Sequence, residues 1–139
     1  MRAVLDCSAA VEIARGTDLG RLLRSMMSVD GEAKLVAPEL IYAELGSAAS
    51  KYYRAGMTDD KMTKALMADA LDLIDETVSL DGLYFEALAD ALRLDHSIYD
   101  MFYFVLARRL DATLVSVDRK LNELCDREGV ARIHLCKLA

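Results

Sequence analysis

Apolar residues run along this chain in two alternating textures. Short blocks of four to seven residues stand out first: AVLD (Ala3 to Asp6), KLVAP (Lys34 to Pro38), TVSL (Thr77 to Leu80), ATLVSVD (Ala112 to Asp118) and RIHLC (Arg132 to Cys136). Each is compact, apolar and bounded by polar or turn-forming residues, which predicts a strand. Between them, apolar positions recur every three or four residues, which predicts helices. AAVEIARG is opened by Ser8, LGRLLRSMM is capped by Asp18, and a long helix runs from about Glu39 to Ala55 with Gly56 as its stop signal. DDKMTKALMADALDLI is opened by Thr58 or Asp59, followed by LYFEALADALRL, IYDMFYFVLARRL and RKLNELCDREG, the last ending at Gly129. Strands alternating with helices build βα units. The expected fold is therefore α/β, three layers with a mainly parallel five-stranded sheet covered by helices on both faces. With 139 residues and no repeat, low-complexity tract or Pro/Gly/Ser linker, a single domain spanning 1–139 is expected.

Composition narrows the class. With 54% hydrophobic and 29% charged residues, the chain reads as a globular domain. No apolar stretch approaches the roughly 18 residues of a membrane span, and Asp6 interrupts the first apolar block, unlike a signal peptide. The three cysteines, Cys7, Cys125 and Cys136, are odd in number and lack CxxC spacing. They read as reduced thiols of an intracellular, cytoplasmic protein, and His96 and His134 make no metal-ligand pattern with them. A net charge of −6 excludes a general nucleic-acid coat protein. It does not exclude an enzyme acting on nucleic acid, because a bound divalent cation reverses the local field.

The acids sharpen the picture. IYDMFYFVLA holds one carboxylate, Asp100, in an otherwise apolar run, where an unpaired charge costs several kcal/mol. In open parallel sheets chemistry collects at the carboxyl ends of the strands. Asp6 ends the first strand and Asp118 the fourth, so both belong to that rim. Glu44 lies in the second turn of the helix after strand 2, beside the stripe Ile41, Leu45, Ala48 and Tyr52. Asp100 opens the helix that runs back into strand 4 and starts from the same rim. Four converging carboxylates repel one another, each pair by about 4 kcal/mol at ~4 Å and an effective dielectric of 20. A hard cation such as Mg²⁺ or Mn²⁺ relieves that repulsion. Each acid also has a structural reading. Ser97 and Asp100 have the spacing of a capping box, Asp118 is placed to cap RKLNEL, and Ser8 and Ser116 suit caps or strand hydroxyls. Tyr99, Phe102, Tyr103 and Phe104 read as core.

Taken together, these motifs resemble the PIN-domain family of metal-dependent ribonucleases, especially the small VapC-type toxins. VLDCSAAVEI is similar to the family's opening strand ending in D-x-S, and APELIYAELGSA to the segment carrying its glutamate. SIYDMFYFVLARRLDATLVSVDRKL resembles its acid-opened helix followed by a strand ending in [T/S]-x-D, with Ser116 where threonine is more usual. Some relatives carry a further acid in the next turn, where this chain has Asn122. The resemblance implies Mg²⁺ or Mn²⁺ held by Asp6, Glu44, Asp100 and Asp118, with Ser8 and Ser116 orienting those ligands from behind. It implies hydrolysis of RNA phosphodiester bonds, a homodimer, and inhibition by a small antitoxin. Arg15, Lys51, Arg54, Arg119 and Lys120 are candidate phosphate-holding cations. Leu23, Met26, Met27, Tyr53 and Met57 are candidates for an antitoxin groove or for plain core. Two other classes share parts of the pattern. A phosphoacceptor signalling domain also binds Mg²⁺ through acids, but wants paired acids after strand 1 and a lysine ending strand 5, where Lys137 falls late. A non-catalytic PIN-like module that binds RNA or protein would not need the intact quartet.

Overall fold

Four of the five apolar blocks pair into one sheet in the computed structural model of the chain, which describes residues 2–29, 31 and 33–135. The strands are β1 (Arg2–Leu5), β2 (Lys34–Pro38), β3 (Glu76–Val78) and β4 (Thr113–Val115), all parallel, in the order β3-β2-β1-β4. The fifth block corrects the expectation of five strands. It contributes an isolated parallel bridge, Arg132 opposite Leu114, and Cys136 at its end lies outside the described residues. Among the described residues only Leu114 of β4 meets this segment, donating to the Ala131 carbonyl and accepting from the Ile133 amide, too few bonds to extend a ladder.

The helices are α1 (Cys7–Arg15), α2 (Asp18–Met27), α3 (Leu40–Arg54), α4 (Asp60–Asp72), α5 (Tyr84–Leu94), α6 (Ile98–Leu110) and α7 (Arg119–Glu128). Two caps differ from expectation. Asp6, not Ser8, caps α1, because the backbone leaves β1 still extended at Asp6 and turns helical immediately after it. Thr17 caps α2 in the same way, accepting from the Gly20 amide, which leaves Asp18 inside the first turn. Of the two candidates for α4, Asp59 is the cap, accepting from the Met62 amide. Leu80, expected at the end of the third strand, belongs instead to a 3₁₀ turn at Leu80–Gly82.

The chain adds β2 and β3 on one side of β1, then crosses to place β4 on the other. Right-handed crossovers put α1–α4 and α5–α6 on opposite faces of the sheet. Contacts follow that division: α1 packs against α2, α3 and α4, whereas α6 packs against α5, β1, β2 and β4. The three-layer α/β/α arrangement is the expected one. Helix α6 is its centrepiece, buried without interruption from Met101 to Ala107, as an all-round apolar sequence demands. Among the described residues no helix is long and apolar enough to cross a membrane.

One position tests how tightly this packing is set. Gly20 on α2 faces α1 so closely that a Cβ there would clash with the Glu12 carbonyl oxygen and stand 2.8 Å from Ile13 Cα. Those obstacles are backbone, which yields far less readily than a side-chain tip. Gly20→Ala should destabilise the fold by about 3 kcal/mol, at the upper end of overpacking effects. Thermal unfolding should read this as a drop of roughly 10 °C. A midpoint within about 2 °C of wild type would show that α1 and α2 separate at little cost.

Candidate active site

Strand order reverses between β1 and β4, so their carboxyl ends frame a crevice. Leu5 pairs with Val115, and the Asp6 amide donates to the Val115 carbonyl at 3.1 Å. Each strand then runs into a helix at or near an aspartate. Asp6 Oδ1 accepts from the Ala9 amide at 3.0 Å, and Asp118 Oδ1 accepts from the Leu121 amide at 3.0 Å. Capping and site chemistry are thus compatible here, because a cap occupies one oxygen of the carboxylate.

Two hydroxyls stitch the strand ends together. Ser8 Oγ donates to Asp6 Oδ1 at 2.7 Å, accepts from the Val117 amide at 3.1 Å, and lies 3.4 Å from Ser116 Oγ. Ser116 Oγ accepts from the Asp118 amide at 3.0 Å. Asn122, one turn into α7, donates from Nδ2 to the Ser116 carbonyl at 2.9 Å. Its Oδ1 is buried and has no partner among the described residues.

Helices α3 and α6 bring the other two acids. The Glu39 amide donates to the Val78 carbonyl at 2.8 Å, which pins the start of α3 to the carboxyl end of β3 and sets Glu44 one turn further on. Ser97 caps α6 through the Tyr99 amide, but the capping box does not close, because Asp100 Oδ2 bonds instead with His96 Nε2 at 2.8 Å. Tyr103, expected as plain core, is buried, yet its hydroxyl donates to Glu44 Oε1 at 2.6 Å. This contact was missed from sequence. The available signal was its place three residues after Asp100, on the same helix face, as a lone hydroxyl between phenylalanines.

Charge ties the four acids together. Burial pushes the Asp6 carboxyl up to about 6, against the hydroxyl of Ser116, the amide of Ala9 and the hydroxyl of Ser8, and the charge of Asp100 adds to the rise. Glu44 is raised by burial and by Asp100, with Tyr103 opposing. Asp100 is raised by burial and by Asp118, with His96 opposing. In all three, burial is the larger cause and the charge of a neighbouring acid adds to it. Glu44, Asp100 and Asp118 are each held through one oxygen (Oε1, Oδ2 and Oδ1), whereas Asp6 is held at Oδ1 by Ser8 and the Ala9 amide and has the Ser116 hydroxyl beside it as well. Among those residues, no group of three or more His, Cys, Asp and Glu side chains is drawn together closely enough to hold a metal ion as it stands. The acids share a rim and a field, not a closed ligand shell.

Beside them lies an open cleft of about 570 Å³, lined by Ser8, Glu44, Lys51, Tyr52 and Met57 among others. Of the candidate cations, only Lys51 lines it; Arg15 stacks 4.6 Å over the Tyr52 ring, and Arg119 lies near Glu123 at 3.5 Å. Cys7 also faces the cleft, but burial and the nearby Glu44 and Asp6 push its thiol up to about 12, so it is no thiolate nucleophile at neutral pH. Leu23 and Met27 are buried, Met26 packs partly buried against the core, and Tyr53 and Met57 are exposed.

Acids at the strand-order reversal of an all-parallel α/β sheet are shared by more than one class of protein. The chain belongs to the PIN domain family, whose profile matches residues 3–127. PIN domains are generally nucleases and typically depend on a divalent metal. Membership sets aside the phosphoacceptor alternative. Among solved structures, the fold is similar to PAE2754 from Pyrobaculum aerophilum, at 21% identity and a TM-score of 0.70 over 95% of this chain and 83% of that one. It is also similar to VapBC2 from Rickettsia felis bound to a DNA fragment from their promoter, at 15% identity and a TM-score of 0.67, covering 96% and 98%. VapBC-1 from nontypeable Haemophilus influenzae follows at 14% identity and a TM-score of 0.65, covering 96% and 97%. No curated protein matches the chain by sequence.

The raised Asp6 carboxyl carries a pH signature. Below about pH 4 folded and unfolded chains both hold its proton, and the group is neutral to stability. Between there and about 6 only the folded chain holds it, so stability falls as pH rises. Above 6 the destabilisation is complete, on the order of 3 kcal/mol. Asp6→Asn keeps an oxygen for the Ala9 amide and removes the charge. In EDTA, the melting difference between the two proteins should shift toward Asp6→Asn from pH 4 to 6 and then level off. A difference constant over that range would show that Asp6 is not desolvated.

Proposed function

We propose that this chain is a Mg²⁺- or Mn²⁺-dependent endoribonuclease, the toxin of a type II toxin–antitoxin pair. The observation that carries the reading is the geometry of the site: Asp6 and Asp118 cap the helices that leave the adjoining ends of β1 and β4, and Glu44 is tied across to α6, the helix whose first turn holds Asp100. Carboxylates set against one another in a partly buried crevice are most readily reconciled by a hard cation among their oxygens. The donor set fits such an ion chemically, being all oxygen, with the Cys7 thiol held protonated. Carboxylate oxygens of Asp6, Glu44, Asp100 and Asp118 would hold it, and drawing them together is what binding would complete. When bound, the ion supplies an activated water and neutralises charge on the phosphate. The chain's own groups do the rest. Ser8, Ser116 and the Ala9 amide orient Asp6, the Leu121 amide orients Asp118, and Lys51 offers a positive charge to a phosphate entering the cleft.

Likeness of fold to the two VapBC structures supports the toxin assignment, with a small antitoxin and a second copy of the chain as partners. Purified free of any partner, the protein should cleave a broad RNA panel in Mn²⁺ and lose activity in EDTA. Asp6→Asn and Asp118→Asn should each reduce cleavage at least ~100-fold while circular dichroism stays unchanged, since several kcal/mol of transition-state stabilisation depend on the ligands. RNA left intact across the panel, or full activity in Asp118→Asn, would overturn the reading.

Stability gives an independent check on Asp100. Without metal, Asp100→Asn should melt at or above the wild-type temperature, because it relieves repulsion. Mn²⁺ at ten times its dissociation constant stabilises by about 1.4 kcal/mol, which should raise the wild-type midpoint by roughly 4 °C. The variant should show little of that rise. Equal shifts in both proteins would remove Asp100 from the site.

A further inference from the structure

We propose that Tyr103 is a positioning residue for Glu44, its hydroxyl holding one carboxylate oxygen so that the other is left for a divalent cation. This inference rests on the metal-site reading given above. The argument starts from α6, whose interior is apolar and wholly buried and where Phe102 and Phe104 flank Tyr103. A phenyl ring would fill the same space, so packing alone does not call for the oxygen. That oxygen spans from α6 to α3 and donates to Glu44 Oε1 at 2.6 Å, within the range of charge-assisted O–H···O⁻ bonds. With an ordinary pKa near 10, a tyrosine hydroxyl carries its proton at neutral pH and acts as a fixed donor.

Glu44 is the acid that most needs such a tie. Asp6 and Asp118 are short side chains locked by the helix ends they cap, and Asp100 bonds with His96 in the link that leads into α6. Glu44 has a longer side chain with more rotatable bonds, and it lies in mid-helix with no capping role. Free in solution, it would lose that freedom each time a cation bound; the Tyr103 hydroxyl removes it beforehand. Partners behind the ligands of a metal site typically govern its affinity by 10- to 100-fold.

The rival explanation is that Glu44 merely satisfies a buried hydroxyl. Isothermal titration of the metal-free full chain with Mn²⁺ separates the two, using Tyr103→Phe, Glu44→Gln and the double variant. Positioning predicts that Tyr103→Phe weakens Mn²⁺ binding by about 10- to 100-fold while the metal-free protein melts close to wild type. In the Glu44→Gln background the same change should cost less than about twofold, because the side chain being positioned no longer serves as a ligand. Binding by Tyr103→Phe within about twofold of wild type would overturn the inference and leave the metal site standing. Tyr103→Leu guards against a folding artefact, and failure of both variants to fold would assign the residue a structural role and overturn the inference too. If the wild type itself does not bind Mn²⁺, the metal-site reading fails, and this inference with it.

Discussion

Negative charges gathered at the end of a sheet must be held against their own repulsion, and much of this structure serves that constraint. Two helix N-termini, α1 and α7, point their free amides at Asp6 and Asp118, where the partial positive charge of a helix start favours a carboxylate. Ser8 and Ser116 lie between them and bond across the two strand ends. His96 and Tyr103 serve Asp100 and Glu44 from the helical layer. Every acid is therefore attached to a different element, and no single element can shift without disturbing the charge balance of the rest.

Helix α6 is fixed in register by its other end. Arg108 bonds with Asp90 at 2.7 Å and also with Glu86, while Arg109 bonds with Glu86 at 2.6 Å. Asp90 is nearly buried, so its charge depends on Arg108 and on Arg93 at 3.1 Å. A buried acid deprived of its partners costs several kcal/mol. With cations at its C-terminal turn and Asp100 in its first, α6 also follows the polarity of its own dipole. The network at one end thus sets the angular position of Asp100 and Tyr103 at the other.

Much of this was readable from the chain. Strand β2 and helix α6 have the boundaries that their apolar patterns give, because an uninterrupted greasy block has few alternative placements. The rim was legible because two apolar blocks stop abruptly at aspartates and a third acid sits in an otherwise apolar helix. What stayed hidden depends on a few atoms or on distant partners. Which residue caps α1 is decided by where β1 stops being paired, and pairing comes from β2 and β4, far along the chain. The last block looked like a strand by composition, yet its described residues bridge β4 only at Leu114, a limit set by a partner strand that is itself only three residues long. Tyr103 differs from its phenylalanine neighbours by a single oxygen, and its acceptor lies 59 residues earlier, so hydropathy gives no hint of the bond.

The strand order carries a consequence for how the protein is made. β1 is central, and it is also made before the other three strands of its sheet, while its neighbours come from residues 34–36 and 113–115. One side of β1 must wait until residues 113–115 have been made before it is paired. Such non-local closure is slow and leaves an open hydrogen-bonding edge in the meantime. When β4 arrives, its outer edge is covered in turn by the segment after α7, through the Leu114 amide to the Ala131 carbonyl and the Ile133 amide to the Leu114 carbonyl. The seam between β1 and β4 is thus the last in the sheet to close during synthesis, and the acidic rim does not exist on a nascent chain until residues 113–118 have emerged.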